Sequence, residues 1–418
     1  MKPSAVNSRE GELDDSPRRC KVYDHIGQFE PLLPASNRRD GLLEKAHHLQ
    51  GLALAAKGRA HASVMLAIAP LLRAMNSYYT NRIEGQHTLP VEIEQALRQD
   101  FATDADTRRR QRLAVAHMRT EAWAEAHAVH TDWPLLFEPD VVRVLHQHLF
   151  EQLPAPDRLG DHGVVLVPGA WRTREVSVGR HVAPRAAAVP MFLKRLAEVY
   201  GRTRAGELAI VTVAAAHHRL TWVHPFADGN GRVARLHSQA LLQGLGLTNG
   251  VWSPLRGLAR SQPRYYELLA NADLPRRNDL DGRGHLSEEG LIAFCDYFLD
   301  ICIDQAGFMS QLLDMRTMKD RIAACLAFES RREGSGVRME ALAAMHYLFL
   351  GGPTDRGAFK AMTGLAPRTA DRVLQALLAR GLLLADTPKG AIRFAVPLHA
   401  LRFYFPTLWP EAEAGSAA

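Results

Sequence analysis

The sequence predicts a mainly α-helical fold, and three observations carry that reading. From Gly41 to Gln152, Leu, Ala, Val and Ile recur at three- and four-residue spacing in segments punctuated by Gly, Pro or Asp, which is the period of helices with one buried face. The rhythm gives way over Leu159–Pro184 to short β-type pieces around Gly and Pro, and then returns. The last part of the chain places three short helical segments before two apolar runs separated by a turn.

Taken in order, residues 1–40 are polar and rich in Arg, Asp and Pro, and read as an irregular lead-in. Leu42–Lys57, Ala60–Tyr78, Pro90–Asp100, Thr107–Val129 and Pro139–Gln152 are expected helices, the first four making an N-terminal helical region over 41–137. A core unit over 138–275 follows. In it Val164–Val167, Pro168-Gly169 and Val176–Val178 suggest a hairpin, and helices resume over Val189–Tyr200, Leu208–Val223, Val233–Leu245 and Pro263–Asp273. The polar loop Asn278–Gly284 leads to Ser287, an N-cap for a long helical region over Leu291–Ala327; residues 276–336 are a helical connector. Over 337–410, Glu340–Leu350, Asp355–Thr363 and Arg368–Arg380 read as three helices, with a hairpin made by Leu382–Ala385 and Ile392–Val396. That is the order of a winged helix-turn-helix, and residues 411–418 are left as a tail.

Composition narrows the classes. Apolar residues are 47% and charged residues 23% of the chain, ordinary for a globular protein. Apolar runs such as Leu208–Ala216 are far too short for a bilayer, and residues 1–20 are charged where a signal peptide needs an apolar block, so a cytoplasmic protein without a membrane partner is expected. Cys20, Cys295, Cys302 and Cys325 are too widely spaced for a metal knuckle or a disulfide framework. The net charge of +6 is modest, but Pro353–Trp409 holds eight Lys and Arg against three acids. This local excess makes DNA a candidate partner of 337–410, with protein contact the alternative.

The chemistry concentrates in twelve residues, His224-Pro225-Phe226-Ala227-Asp228-Gly229-Asn230-Gly231-Arg232-Val233-Ala234-Arg235. Pro225 lacks an N–H and ends the preceding helix, which leaves His224 at a helix-to-loop corner. Gly229 and Gly231 flank Asn230 and let backbone amides converge on an anion at the positive tip of the next helix. Arg232 and Arg235 are three apart and share a face, so both can reach one polyphosphate. Asp228 is a hard oxygen ligand suited to Mg²⁺ on those phosphates, and His224 can take a proton from an incoming hydroxyl. Together these residues fit a nucleotide bringing a triphosphate as substrate and a phosphoester as product.

The run fills every defined position of H-P-F-x-[D/E]-G-N-G-R-x-x-R, and the chain resembles the Fic-domain (Fido) enzymes. The resemblance implies a Fic-type helical core, a β-hairpin flap near Arg172–Val182 that aligns the target by strand addition, and protein adenylylation. The AMP of Mg·ATP would pass to a Ser, Thr or Tyr hydroxyl of a target protein. By this analogy His224 is the base, Asp228 the metal ligand, Gly229, Asn230 and Gly231 the anion hole, and Arg232 and Arg235 phosphate clamps. Tyr265 and Tyr266 match an aromatic pair that borders the adenine. Upstream, Thr80-Asn81-Arg82-Ile83-Glu84-Gly85 resembles the family's inhibitory motif [S/T]-x-x-x-E-[G/N]. It implies that Glu84 pairs with Arg235, occupies the γ-phosphate position and autoinhibits the enzyme. Two alternatives stand beside this nucleotidyltransferase: a de-AMPylase in which Glu84 orients water, and a DNA-binding regulator whose core senses nucleotide. A second copy of the chain is a further candidate partner. His217 and His218 are assigned to packing, and Asp157, Asp161 and His162 match no defensible metal site.

Overall fold

The computed structural model describes residues 22–411 apart from 59–61, 161, 162, 164, 180, 204 and 205. The architecture is mainly helical with two small antiparallel hairpins. The N-terminal region supplies α1 (Asp40–Lys57), α2 (Ala62–Ile83), α3 (Pro90–Leu97) and α4 (Ala105–Val129). The core adds α5 (Pro139–Glu151), the strands β1 (Ser177–Val178) and β2 (His181–Val182), then α6 (Val189–Tyr200) and α7 (Glu207–Val223). It closes with α8 (Asn230–Gly244), α9 (Leu255–Arg260) and α10 (Gln262–Ala272).

The organising element is α7, whose residues from Ala209 to Leu220 are buried without interruption. A helix apolar on every side belongs in the middle of a core. Its neighbours are α1, α6, α8 and α11 (Glu288–Leu312). Small residues at Ala209, Ala214, Ala215 and Ala216 let these helices approach closely, while each buried Ile or Val contributes about 1.5–3 kcal/mol.

The expected long helix over Leu291–Ala327 is two helices, α11 and α12 (Met315–Ser330). Asp314 between them accepts from the Arg316 N–H and starts the second helix as an N-cap. Ser287 caps α11 by accepting from the Gly290 N–H at 2.9 Å. The distal unit holds α13 (Leu342–Gly351), α14 (Arg356–Met362), α15 (Pro367–Ala379), β3 (Leu383–Ala385), β4 (Ile392–Phe394) and the short α16 (Leu401–Tyr404). Leu383 pairs with Phe394 and Ala385 with Ile392, and Thr354 adds an antiparallel bridge on Ile392.

Several expectations need correction. Residues 1–21 lie outside the described residues, but the part of the lead-in from Val22 to Arg39 is not a loose polar segment. Phe29 and Leu32 are fully buried, Phe29 stacks on Trp222 at 4.9 Å, and Arg219 donates to the Pro31 carbonyl at 2.7 Å. A few apolar anchors in a polar stretch do not register in its composition. Of the expected piece Val164–Val167, Val164 lies outside the described residues and 165–167 form no strand. Val165 makes an isolated bridge to Leu159, and the hairpin consists of Ser177–Val178 against His181–Val182. The helix ending at Tyr78 by its apolar pattern runs on to Ile83, and the helix expected from Val233 begins at Asn230. In both cases the extra turn is polar and buried against the other, so periodicity of apolar residues could not find it. Arg380 does not join a basic face of α15; it donates to Glu329 of α12 at 2.7 Å.

Among the described residues no helix is long and apolar enough to cross a membrane, and Cys295, Cys302 and Cys325 are buried free thiols.

Acid lability follows from this core. Burial pushes His117 down to about 3 and His146 and His237 down to about 4, from the ordinary 6.5. The unfolded chain therefore takes up protons that the folded chain refuses, so this stabilisation is complete above pH 6.5 and is lost as pH falls toward 4. The cost is on the order of several kcal/mol in sum. Melting temperature should drop steeply between pH 6.5 and 4.5, and a melting point flat across that interval contradicts the assignment.

Candidate active site

The site begins where α7 stops. His224 adopts φ 50° and ψ 60°, a left-handed conformation, while its N–H still bonds the Leu220 carbonyl at 3.2 Å. A non-glycine residue there costs about 1–3 kcal/mol and persists only where its surroundings enforce it. Three braces do so. Arg172 donates its backbone N–H to the Pro225 carbonyl at 2.9 Å and its Nε to the His224 carbonyl at 2.8 Å. The Asn230 side chain spans the turn, accepting from the Phe226 N–H at 2.8 Å and donating to the Phe226 carbonyl at 2.9 Å. From α5, His146 accepts the Gly169 N–H on Nδ1, which leaves its proton on Nε2, 3.3 Å from the Asp228 carbonyl. Its ring also stacks on Phe226 with centroids 3.9 Å apart.

After this corner the chain passes through Gly229 at φ 81° and starts α8 at once. A β-carbon at Gly229 would fall 2.6 Å from the Phe150 ring, so both the conformation and the space select glycine. The amides of Asn230, Gly231 and Arg232 open the helix and have no carbonyl a turn earlier to bond, which gives the tip its positive character. The Gly229 N–H itself donates to the Asp228 carboxylate. These elements face a cavity of about 640 Å³, lined among others by His224, Gly231, Arg235, Glu84, Tyr265 and Tyr266.

Both motif arginines are held by α2. The Arg235 Nε donates to the Thr80 hydroxyl at 2.8 Å and its Nη2 to the Glu84 carboxylate, while the Arg232 Nε donates to Asn81 at 3.0 Å. One Arg232 Nη2 is buried with no hydrogen-bond partner among the described residues. Glu84 lies directly over the cradle: a β-carbon on Gly231 would meet its Oε1 at 2.5 Å. Burial pushes the Glu84 carboxyl up, but Arg235 and Arg232 outweigh it and hold the group below the usual carboxylate range. Burial also dominates at His224, where it acts with the neighbouring His181 and the Arg172 guanidinium to push the imidazole down to about 4. At neutral pH the ring is uncharged and able to accept a proton.

Residues 136–242 match the model of the Fic/DOC family. The chain carries a Fic domain. Over 134 residues it is 29% identical to the "Protein adenylyltransferase Fic" of Drosophila mojavensis and 32% identical to that of Drosophila virilis. Each match takes in 32% of this chain, and the chain spans about a quarter of each curated relative, 26% and 27%. Among solved structures, a Fic family protein from Desulfovibrio desulfuricans G20 aligns over 84% of this chain and 96% of that one, at 17% identity and a TM-score of 0.48.

Within and around the Fic domain the sequence-nominated residues separate by position. His224, Gly231, Arg235, Tyr265, Tyr266 and Glu84 share the cavity. Asn230 turns its side chain into the loop, so only its backbone can face an anion. The Tyr265 hydroxyl bonds His217 at 2.7 Å and the Tyr266 hydroxyl donates to the Ile83 carbonyl at 2.7 Å, and both residues line the cavity. His217 bridges Tyr265 and Ser238, and His218 accepts from Arg219 while its other nitrogen meets the Leu269 carbonyl. Asp157 pairs with Arg112 at 2.8 Å; Asp161 and His162 lie outside the described residues. Among the described residues no three His, Cys, Asp or Glu are grouped to hold a metal ion. A single carboxylate, Asp228, suits Mg²⁺ that arrives on phosphates better than a resident metal. His146 and Arg172 carry the corner yet were not nominated, because their partners are backbone atoms far away in sequence.

Gly229→Ala tests the corner: strain at φ 81° and the Phe150 clash should lower unfolding free energy by about 1–3 kcal/mol in denaturant titration. Wild-type stability in that variant would show that the turn is not sterically fixed.

Proposed function

We propose that the chain is a protein adenylyltransferase that passes AMP from Mg·ATP to a Ser, Thr or Tyr hydroxyl of a target protein, and that Glu84 holds it inactive at rest. The observation that carries the reading is the meeting, in one cavity, of a neutral His224, the first turn of α8 and the Arg235–Glu84 pair. Two relatives named protein adenylyltransferase share about 30% identity with this chain over 134 residues.

In this mechanism the amides of α8 and the guanidinium of Arg235 bind and orient the phosphates. Arg232 has an Nη2 to offer as well. The target hydroxyl approaches past the β1–β2 flap, where Val178 and Val182 are exposed and the edge is open for strand addition. His224 accepts the hydroxyl proton as its oxygen bonds the α-phosphorus and the bond to the β-phosphate oxygen breaks. Pyrophosphate leaves. Asp228 would hold Mg²⁺, which neutralises phosphate charge when bound. Glu84 blocks the sequence of events by occupying Arg235 and placing a carboxylate where a terminal phosphate would come, and like charges repel.

A second reading concerns 337–410. Arg368, Arg372 and Gln375 are exposed along α15, and Lys389 sits exposed at the tip of the hairpin, an arrangement suited to duplex DNA. Full-length protein should then retard a DNA duplex at low salt and release it as salt rises, and migration unchanged at low salt removes DNA from the account.

His224→Ala should abolish transfer of labelled AMP while leaving the melting temperature within a few degrees of wild type. Glu84→Gly should raise auto-labelling, on the order of tenfold or more for loss of a carboxylate opposing a polyphosphate; auto-labelling unchanged, with release of AMP from a pre-labelled protein abolished, would select the de-AMPylase alternative. In Glu84→Gly the acid limb of kcat should lie below the ordinary imidazole value of 6.5, since the depressed His224 stays neutral down to about 4. A limb at 6.5 or above contradicts His224 as the base.

A further inference from the structure

The end of the described chain grips the helix that ends immediately before Glu84. Glu411 accepts from the Tyr79 hydroxyl at 2.8 Å and from Arg82 Nη1 at 2.9 Å. Trp409, 1% exposed, packs its ring 5.8 Å from that of Tyr78. Thr407 gives its carbonyl to Arg256 of α9 at 3.1 Å, and β4 packs on α2. This segment, expected to be where a free tail starts, is a strap.

Helix geometry gives the strap its meaning. Thr80 and Glu84 are four residues apart and share the face turned to α8, whereas Tyr78, Tyr79 and Arg82 look the other way, toward the strap. From the cavity side, Gln262 and Tyr266 both donate to the Ile83 carbonyl, at 2.8 Å and 2.7 Å. The last turn of α2 is thus held from two sides, one belonging to the core and the other to the distal unit. Rotation of that turn by a few tens of degrees would lift the Glu84 carboxylate off Arg235.

We infer that the strap, through Glu411 and Trp409, positions the inhibitory carboxylate, so that the distal unit controls how firmly the Fic site is closed. The inference rests on the inhibitory role proposed for Glu84. Glu411 and Trp409 are positioning residues, with no contact to the cavity. Any ligand that displaces the distal unit from α2 would open the site, and one that tightens the strap would close it.

The test uses the full chain, labelled ATP and auto-modification as readout, with Glu411→Gln and, as a gentler change, Tyr79→Phe, which removes one hydroxyl and keeps the ring. Each should raise auto-labelling by roughly two- to fivefold, the range of a partly exposed ion pair, and lower the KM for ATP. Added to Glu84→Gly, neither should change the rate, because the strap acts through the carboxylate already removed. A purely structural role would shift melting temperature equally in both backgrounds without this dependence. If Glu84→Gly activates but Glu411→Gln and Tyr79→Phe do not, the strap inference falls and inhibition by Glu84 stands. If the strap variants raise labelling equally with and without Glu84, the strap acts by another route and the inference is also overturned. If Glu84→Gly itself fails to activate, both fall together.

Discussion

The ion pair between Arg235 and Glu84 is the contact on which the rest of the site depends. Arg235 is buried, and a buried guanidinium needs partners for its charge and its donors. Here α2 supplies them: the Thr80 hydroxyl, the Thr80 carbonyl and the Glu84 carboxylate. The same donors would be wanted by a phosphate. Closure of the cavity and satisfaction of a buried cation are therefore one arrangement, and opening the site requires a replacement anion. ATP brings one.

That dual use of Arg235 explains why the neighbouring structure is so firmly braced. The corner at His224 holds an unfavourable backbone conformation through Arg172, Asn230 and His146, so the imidazole stays beside the cradle whether or not Glu84 is in place. The end of α2 beside Glu84, by contrast, is tied by separate contacts: two hydrogen bonds to the Ile83 carbonyl, the Arg235 pair and the strap at Glu411. A braced corner and a helix end with separable ties sit side by side. Side chains of Arg172, Asn230 and His146 hold the corner by its own backbone carbonyls and amides, whereas Glu84 is held through its carboxylate on Arg235.

Helix class and most helix positions were legible in the sequence because apolar periodicity reports burial directly, as at α5, α6 and α7. The elements that were misjudged share a cause. The last turn of α2 and the first of α8 are polar, and they are buried because they satisfy each other, Thr80 and Asn81 against Arg235 and Arg232. No apolar count finds such turns. Phe29 and Leu32 were hidden likewise, as isolated anchors in a polar segment whose partners, Trp222 and the α7 surface, lie nearly two hundred residues away.

By itself the sequence determined the Fic-type run from His224 to Arg235 and nominated Glu84, since those residues owe their proximity to a short turn and a helix start, which are local. Only the tertiary structure decided that Glu84 reaches Arg235 across 151 positions, that His146 and Arg172 hold the corner, and that Trp409 and Glu411 pack back on α2. The physical reason is that a contact between distant segments depends on how helices pack around α7. Packing is set by shape and by the pairing of buried polar groups over the whole core, and no window of the sequence contains both partners.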